Sequence, residues 1–81
     1  MPVVLVVEPN LLDLPKLLEG LGNHWKPLVV ATPLEAIYAL YAVQVKGVAI
    51  PEQRADDPAY EPLFSTIRLA ATTSRLELLT A

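Results

Sequence analysis

The chain has 81 residues, a formal net charge of −3 and no cysteine. That length holds one domain, residues 1–81, and without thiols there are no disulfides, thiolate zinc sites or thiol nucleophiles. The Lys and Arg residues are scattered, whereas nucleic-acid binding needs a clustered basic face, so no nucleic-acid partner is expected.

Hydrophobic residues make up 53% of the chain. A folded body of this mass exposes about 4,800 Å² and buries roughly 60% of its unfolded surface. It cannot hide so much apolar side chain, so either the surface is unusually apolar or a partner covers part of it. Eight prolines, one methionine and no cysteine point to a thermophilic source, and the missing cysteine fits a reducing cytoplasm. The apolar runs break at proline, glycine or charge well short of the about 20 residues of a spanning helix. Met1-Pro2-Val3-Val4 lacks the basic segment and cleavage site of a secretory leader, and is read as the start of the mature protein.

Val3-Val4-Leu5-Val6-Val7 is apolar throughout, the pattern of a strand buried on both faces in a parallel sheet. Leu14, Leu17, Leu18 and Leu21 then form one helical stripe. Its N-cap is Asn10 or Asp13, and Pro15 favours Asp13 because proline is tolerated in a first turn. Gly20, Gly22 and Asn23 supply the stop. Leu28-Val29-Val30-Ala31 reads as the second strand. Thr32-Pro33-Leu34-Glu35 opens a helix with threonine as cap, proline at N1 and glutamate reaching back. Ala36, Ile37, Leu40 and Tyr41 share one side of it, and it ends near Val43-Gln44.

Gly47-Val48-Ala49-Ile50 is a third apolar strand, and Pro51 to Pro58 a polar loop. Asp57-Pro58 caps a third helix whose buried side carries Leu63, Phe64, Ile67, Ala70 and Ala71. Thr72-Thr73-Ser74 ends that helix, and Leu76-Glu77-Leu78-Leu79 is the fourth strand. The order β-α-β-α-β-α-β implies right-handed crossovers and a four-stranded parallel α/β sheet with three helices.

These segments resemble the first two-thirds of a response-regulator receiver domain. The carriers are Val6-Val7-Glu8-Pro9-Asn10, Ala31-Thr32-Pro33-Leu34-Glu35-Ala36, Val45-Lys46-Gly47-Val48-Ala49-Ile50 and Leu78-Leu79-Thr80-Ala81. The resemblance implies the flavodoxin-like strand order 2-1-3-4. It also implies a site in which an acidic pair holds Mg²⁺ and an aspartate after the third strand accepts a phosphoryl group. Glu8 matches the first acid and Thr80 the hydroxyl residue that senses the phosphoryl group. Pro9 occupies the second acid's place and Pro51 that of the acceptor, and the chain ends before the family's fifth-strand lysine. Phosphoryl transfer needs a carboxylate nucleophile and a neutralising cation, so the resemblance implies a pseudo-receiver with no catalytic residue, no metal and no cofactor.

Other candidate chemistry is sparse. Glu52, Asp56 and Asp57 cluster after the third strand, at the sheet edge where open α/β sheets bind ligands. With Glu8 and Thr80 they form an alternative small-ligand or cation site, although a solvated loop with Asp57 as a cap explains the acids more simply. The lone His24 lies in the turn before the second strand without a nucleophile beside it. Tyr38, Tyr41 and Tyr60 with Trp25 are candidates for an aromatic surface, with Tyr41 better read as core and Tyr38 as exposed. No glycine-rich phosphate loop is present.

The fourth strand would be a sheet edge, with Leu76, Leu78 and Leu79 putting apolar groups on both faces and Glu77 as guard or partner charge. One sheet face would carry only the first helix, leaving a bare apolar strip over strands three and four. The expected partner is a second copy docked on the fourth strand and this strip, with another protein as a further possibility.

Overall fold

The buried run Val3–Val7 forms β1, with Val4 to Val7 all inaccessible to solvent. The computed structural model describes residues 1–10, 12–73 and 76–80, and at 72, 73 and 80 the backbone alone. From β1 the chain passes through α1 (Leu14–Leu21), β2 (Lys26–Val30), α2 (Pro33–Ala42), β3 (Gly47–Ile50), α3 (Glu61–Thr73) and β4 (Glu77–Thr80). All strand pairs are parallel and the order is β2-β1-β3-β4. This α/β architecture, a four-stranded parallel sheet in the order 2-1-3-4 with three helices, is the one expected from the sequence.

The strand alternation splits the core in two. Leu5, Val7, Val48 and Ile50 face α2 and α3, where they meet Ala36, Tyr60, Leu63 and Ile67. Val4, Val6 and Ala49 face α1 and meet Leu17, with Leu14, Leu18, Leu21, Trp25 and Leu79 around them. The leucine stripe of α1 is thus the cover of one face, as its spacing predicts. The molecule is flat, 32 × 31 × 18 Å, and exposes 5354 Å². That exceeds the size-based expectation of about 4,800 Å², because a small sheet with a helix layer on each face leaves helix backs and sheet rims in solvent.

Several local expectations are corrected. β2 begins at Lys26 rather than Leu28, because Lys26 N–H donates to the Pro2 carbonyl at 2.8 Å and extends the pairing with β1. β4 is displaced by one residue, Glu77–Thr80, while Leu76 packs against the core just before it. Tyr41 is 80% exposed rather than core. At 3.6 residues per turn it lies about 140° around α2 from Ala36, too far to reach the sheet. Ala71 is exposed as well, past the point where α3 overlies the sheet.

The bare strip is also smaller than expected. Gly47 and Ala49 of β3 are buried, Ala49 completely. Trp25, from the turn before β2, reaches across and covers Gly47. Only β4 remains open on that face, with Glu77 exposed and Leu79 half-buried.

Candidate functional site

Two of the four singled-out positions, Glu8 and Pro51, line one cleft after β1 and β3 at the C-terminal edge of the sheet. Glu8 follows β1, and its N–H donates to the Val30 carbonyl at 3.1 Å. Its side chain is only 5% exposed, and Oε1 accepts from Asn10 N–H at 2.9 Å. Asn10 in turn accepts from Leu12 N–H through Oδ1 at 3.0 Å and donates through Nδ2 to Asp13 Oδ2 at 3.0 Å. These side-chain bonds fold the residues between β1 and α1 into an Asx-type turn. Asp13 holds the N-cap position, but its carboxylate makes no bond to the helix N–H groups because Asn10 engages it. Pro15 sits in the first turn, as expected.

Glu8, Asp13, Lys16, Leu17, Pro51 and Glu52 line a cleft of about 570 Å³ at this edge. The structure therefore brings Glu8 and Pro51 to one place. Pro51 is buried and starts a 3-10 turn over Glu52–Arg54, its carbonyl accepting from Arg54 N–H at 2.9 Å. Pro9 is exposed. Thr80 is aligned with Ile50, the residue before Pro51, and its side chain lies outside the described part.

The acidic loop is used locally. Asp57 Oδ1 accepts from Ala59 N–H at 2.9 Å and caps a second 3-10 turn, Pro58–Tyr60, that feeds α3. Its other oxygen lies 3.7 Å from the Arg54 guanidinium. Asp57 thus caps the 3-10 turn rather than α3 itself, and Asp56 is exposed. Among the described residues, no three His, Asp or Glu side chains converge on a common metal position.

Sequence reasoning missed the burial of Tyr60, which is 3% exposed and pairs with Phe64 at a ring separation of 6.4 Å. Burial, chiefly, raises its hydroxyl pKa above the ordinary tyrosine value; Arg54 opposes this, and Glu8 and Asp57 add to it. The signal was present, since Tyr60, Leu63, Phe64 and Ile67 continue one helical stripe upstream through the 3-10 turn. Trp25 is half-buried and packs against the core on the α1 side of the sheet. Tyr38 is 70% exposed, as expected, and His24 is exposed in the turn before β2.

The two sheet edges differ. Backbone groups of successive strand residues point to opposite sides. Lys26 N–H points inward to Pro2, so Pro27 turns its nitrogen outward, where a proline removes a donor and blocks pairing. Lys26 adds an exposed charge to the same edge. On β4, Glu77 N–H points inward to Lys46 at 3.0 Å. Leu78 and Thr80 therefore direct their N–H and C=O groups outward, and the Leu78 side chain is 45% exposed. Leu78 also borders a groove of about 280 Å³ with Ile50, Pro51, Phe64 and Arg68.

The fold is that of a doubly wound parallel α/β domain. The chain matches no protein-family model, no curated protein and no solved structure. No helix of the described residues is long and apolar enough to cross a membrane.

Proposed function

We propose that the chain is a degenerate receiver-type module in signalling that catalyses nothing and works by docking protein through β4, with a second copy of itself as partner. The observation that carries this reading is the contrast between the edges. β2 lacks an outward donor at Pro27 and carries the exposed charge of Lys26, leaving Val29 as its outward N–H, whereas β4 presents outward amides at both Leu78 and Thr80 beside the half-exposed Leu78. The chemistry of the receiver-like positions supports the non-catalytic part. Prolines at 9 and 51 offer neither a metal ligand nor a nucleophile where phosphoryl transfer would need both. The prolines and the lack of cysteine favour a thermophilic source and action in a reducing cytoplasm.

Light scattering after size exclusion, across a concentration series, tests the reading. The expected mass is twice 8.8 kDa, falling to the monomer in Leu78→Lys with the fold retained. A wild-type chain that stays monomeric at high concentration rejects it.

A second reading follows from the cleft at Glu8. A buried carboxylate beside Lys16 and Glu52 in about 570 Å³ of space suits a small polar ligand or a cation. Calorimetric titration with Mg²⁺ separates the two. A saturable heat abolished by Glu8→Gln supports the ligand site, and no heat removes the cation form of it.

A further inference from the structure

We infer that the β4 edge pairs antiparallel with β4 of a second copy, with Leu78 on the twofold axis. This rests on the docking reading above and adds the register. An axis normal to the sheet places the same face of both copies on the same side, so facing residues must come from the same face. Within β4 the outward-pointing backbone groups belong to Leu78 and Thr80, since Glu77 points inward to Lys46.

Centred on Leu78, the pairing sets Leu78 against Leu78 and Leu76 against Thr80 on either side, as hydrogen-bonded pairs. Glu77 then faces Leu79 of the other copy. Sliding the register one way sets Glu77 against Glu77, and like charges directly opposite destabilise a ladder. Sliding it the other way centres Leu79 and sets Leu78 against Thr80, so that the two half-exposed Leu78 side chains no longer meet. The Leu78-centred register alone brings the two half-exposed leucines together and separates the carboxylates.

The packing agrees with this register. Leu78 is aligned with Val48, on the face covered by α2 and α3, and borders the groove with Ile50, Phe64 and Arg68. The second Leu78 enters beside it, where apolar wall is already present. The resulting sheet runs continuously through both copies and ends at a β2 edge on each side. Pro27 and Lys26 disfavour further pairing at both ends.

The absence of cysteine allows a direct test by single-cysteine variants. Only a residue on a twofold axis meets its own copy. Leu78→Cys, with a Cα separation of about 5.5 Å, lies within the roughly 4.4–6.8 Å that a disulfide spans, and is expected to crosslink under mild oxidation. Glu77→Cys and Leu79→Cys, diagonal to their copies at about 7–8 Å, are expected not to crosslink alone. The double variant carrying both is expected to do so.

Crosslinking at Glu77→Cys or Leu79→Cys in place of Leu78→Cys overturns the register and leaves the β4 dimer standing. A dimer by light scattering that crosslinks in none of these variants rejects β4 as the contact. A monomer rejects the dimer itself.

Discussion

The six-membered ring of Trp25 packs against the backbone of Gly47. A Cβ built on Gly47 would sit 2.9 Å from Cη2 and 3.0 Å from Cζ3 of the indole, with the Glu77 carbonyl at 3.4 Å on another side. The glycine is there for space, to admit the ring that covers the start of β3. Gly47→Ala should cost about 1–3 kcal/mol through overpacking, although alanine otherwise favours a strand. Urea denaturation measures this. Trp25→Leu in the same chain should recover part of the loss, and a double mutant whose two losses simply add would show that the ring does not set the limit.

Glu8 holds the chain between β1 and α1. Its buried carboxylate accepts from Asn10 N–H. Glu8→Ala removes that acceptor and should cost about 1–3 kcal/mol. Glu8→Gln keeps a carbonyl oxygen at the same place and should cost less. Equal losses in urea midpoint for the two variants would contradict the assigned bond.

Tyr60 predicts a pH dependence. Its folded pKa is raised above the ordinary value of 10.0, with burial as the largest cause. The unfolded chain therefore releases this proton first as pH rises. The stability contributed by the neutral phenol is complete below pH 10 and falls between the unfolded and the raised folded pKa. Wild type minus Tyr60→Phe, compared from pH 8 to 11, should show a declining difference in stability. A flat difference would mean that Tyr60 titrates as it does in the unfolded chain.

The helix starts should respond unequally. Thr32 accepts from Glu35 N–H at 3.2 Å while its hydroxyl meets the Glu35 carboxylate at 3.4 Å. Thr32→Ala should cost about 1 kcal/mol. Asp13 stands at the same position of α1 but bonds Asn10 instead. Asp13→Ala should cost less than the threonine change, and thermal unfolding of the two variants ranks them.

Pro27 predicts a gain of association. Pro27→Val restores an outward donor on the edge of β2. Masses beyond the dimer should then appear in light scattering as concentration rises. A Pro27→Val chain with the wild-type mass at every concentration would show that Lys26 blocks the edge by itself.

The elements and their order follow from local patterns along the chain. The leucines of α1 recur at helical spacing, Thr32-Pro33-Leu34-Glu35 carries its own start signal, and the apolar strands show no polar alternation. Each depends on neighbours along the chain, and alternating strands and helices leave a parallel sheet as the simple topology. The local chemistry of Pro9 and Pro51 was legible for the same reason, since a proline's lack of a donor and of a nucleophile belongs to the residue.

Which aromatics pack and which face solvent depends on contacts between distant segments. Trp25 precedes β2, yet its ring is placed by a glycine on β3. Tyr41 shared an apolar pattern but turns to solvent, because the curved helix surface exceeds the width of its contact with the sheet. The burial of Glu8 and the difference between the β2 and β4 edges also depend on which strands become neighbours. Such contacts are set by packing between segments distant in sequence, and no local periodicity records them.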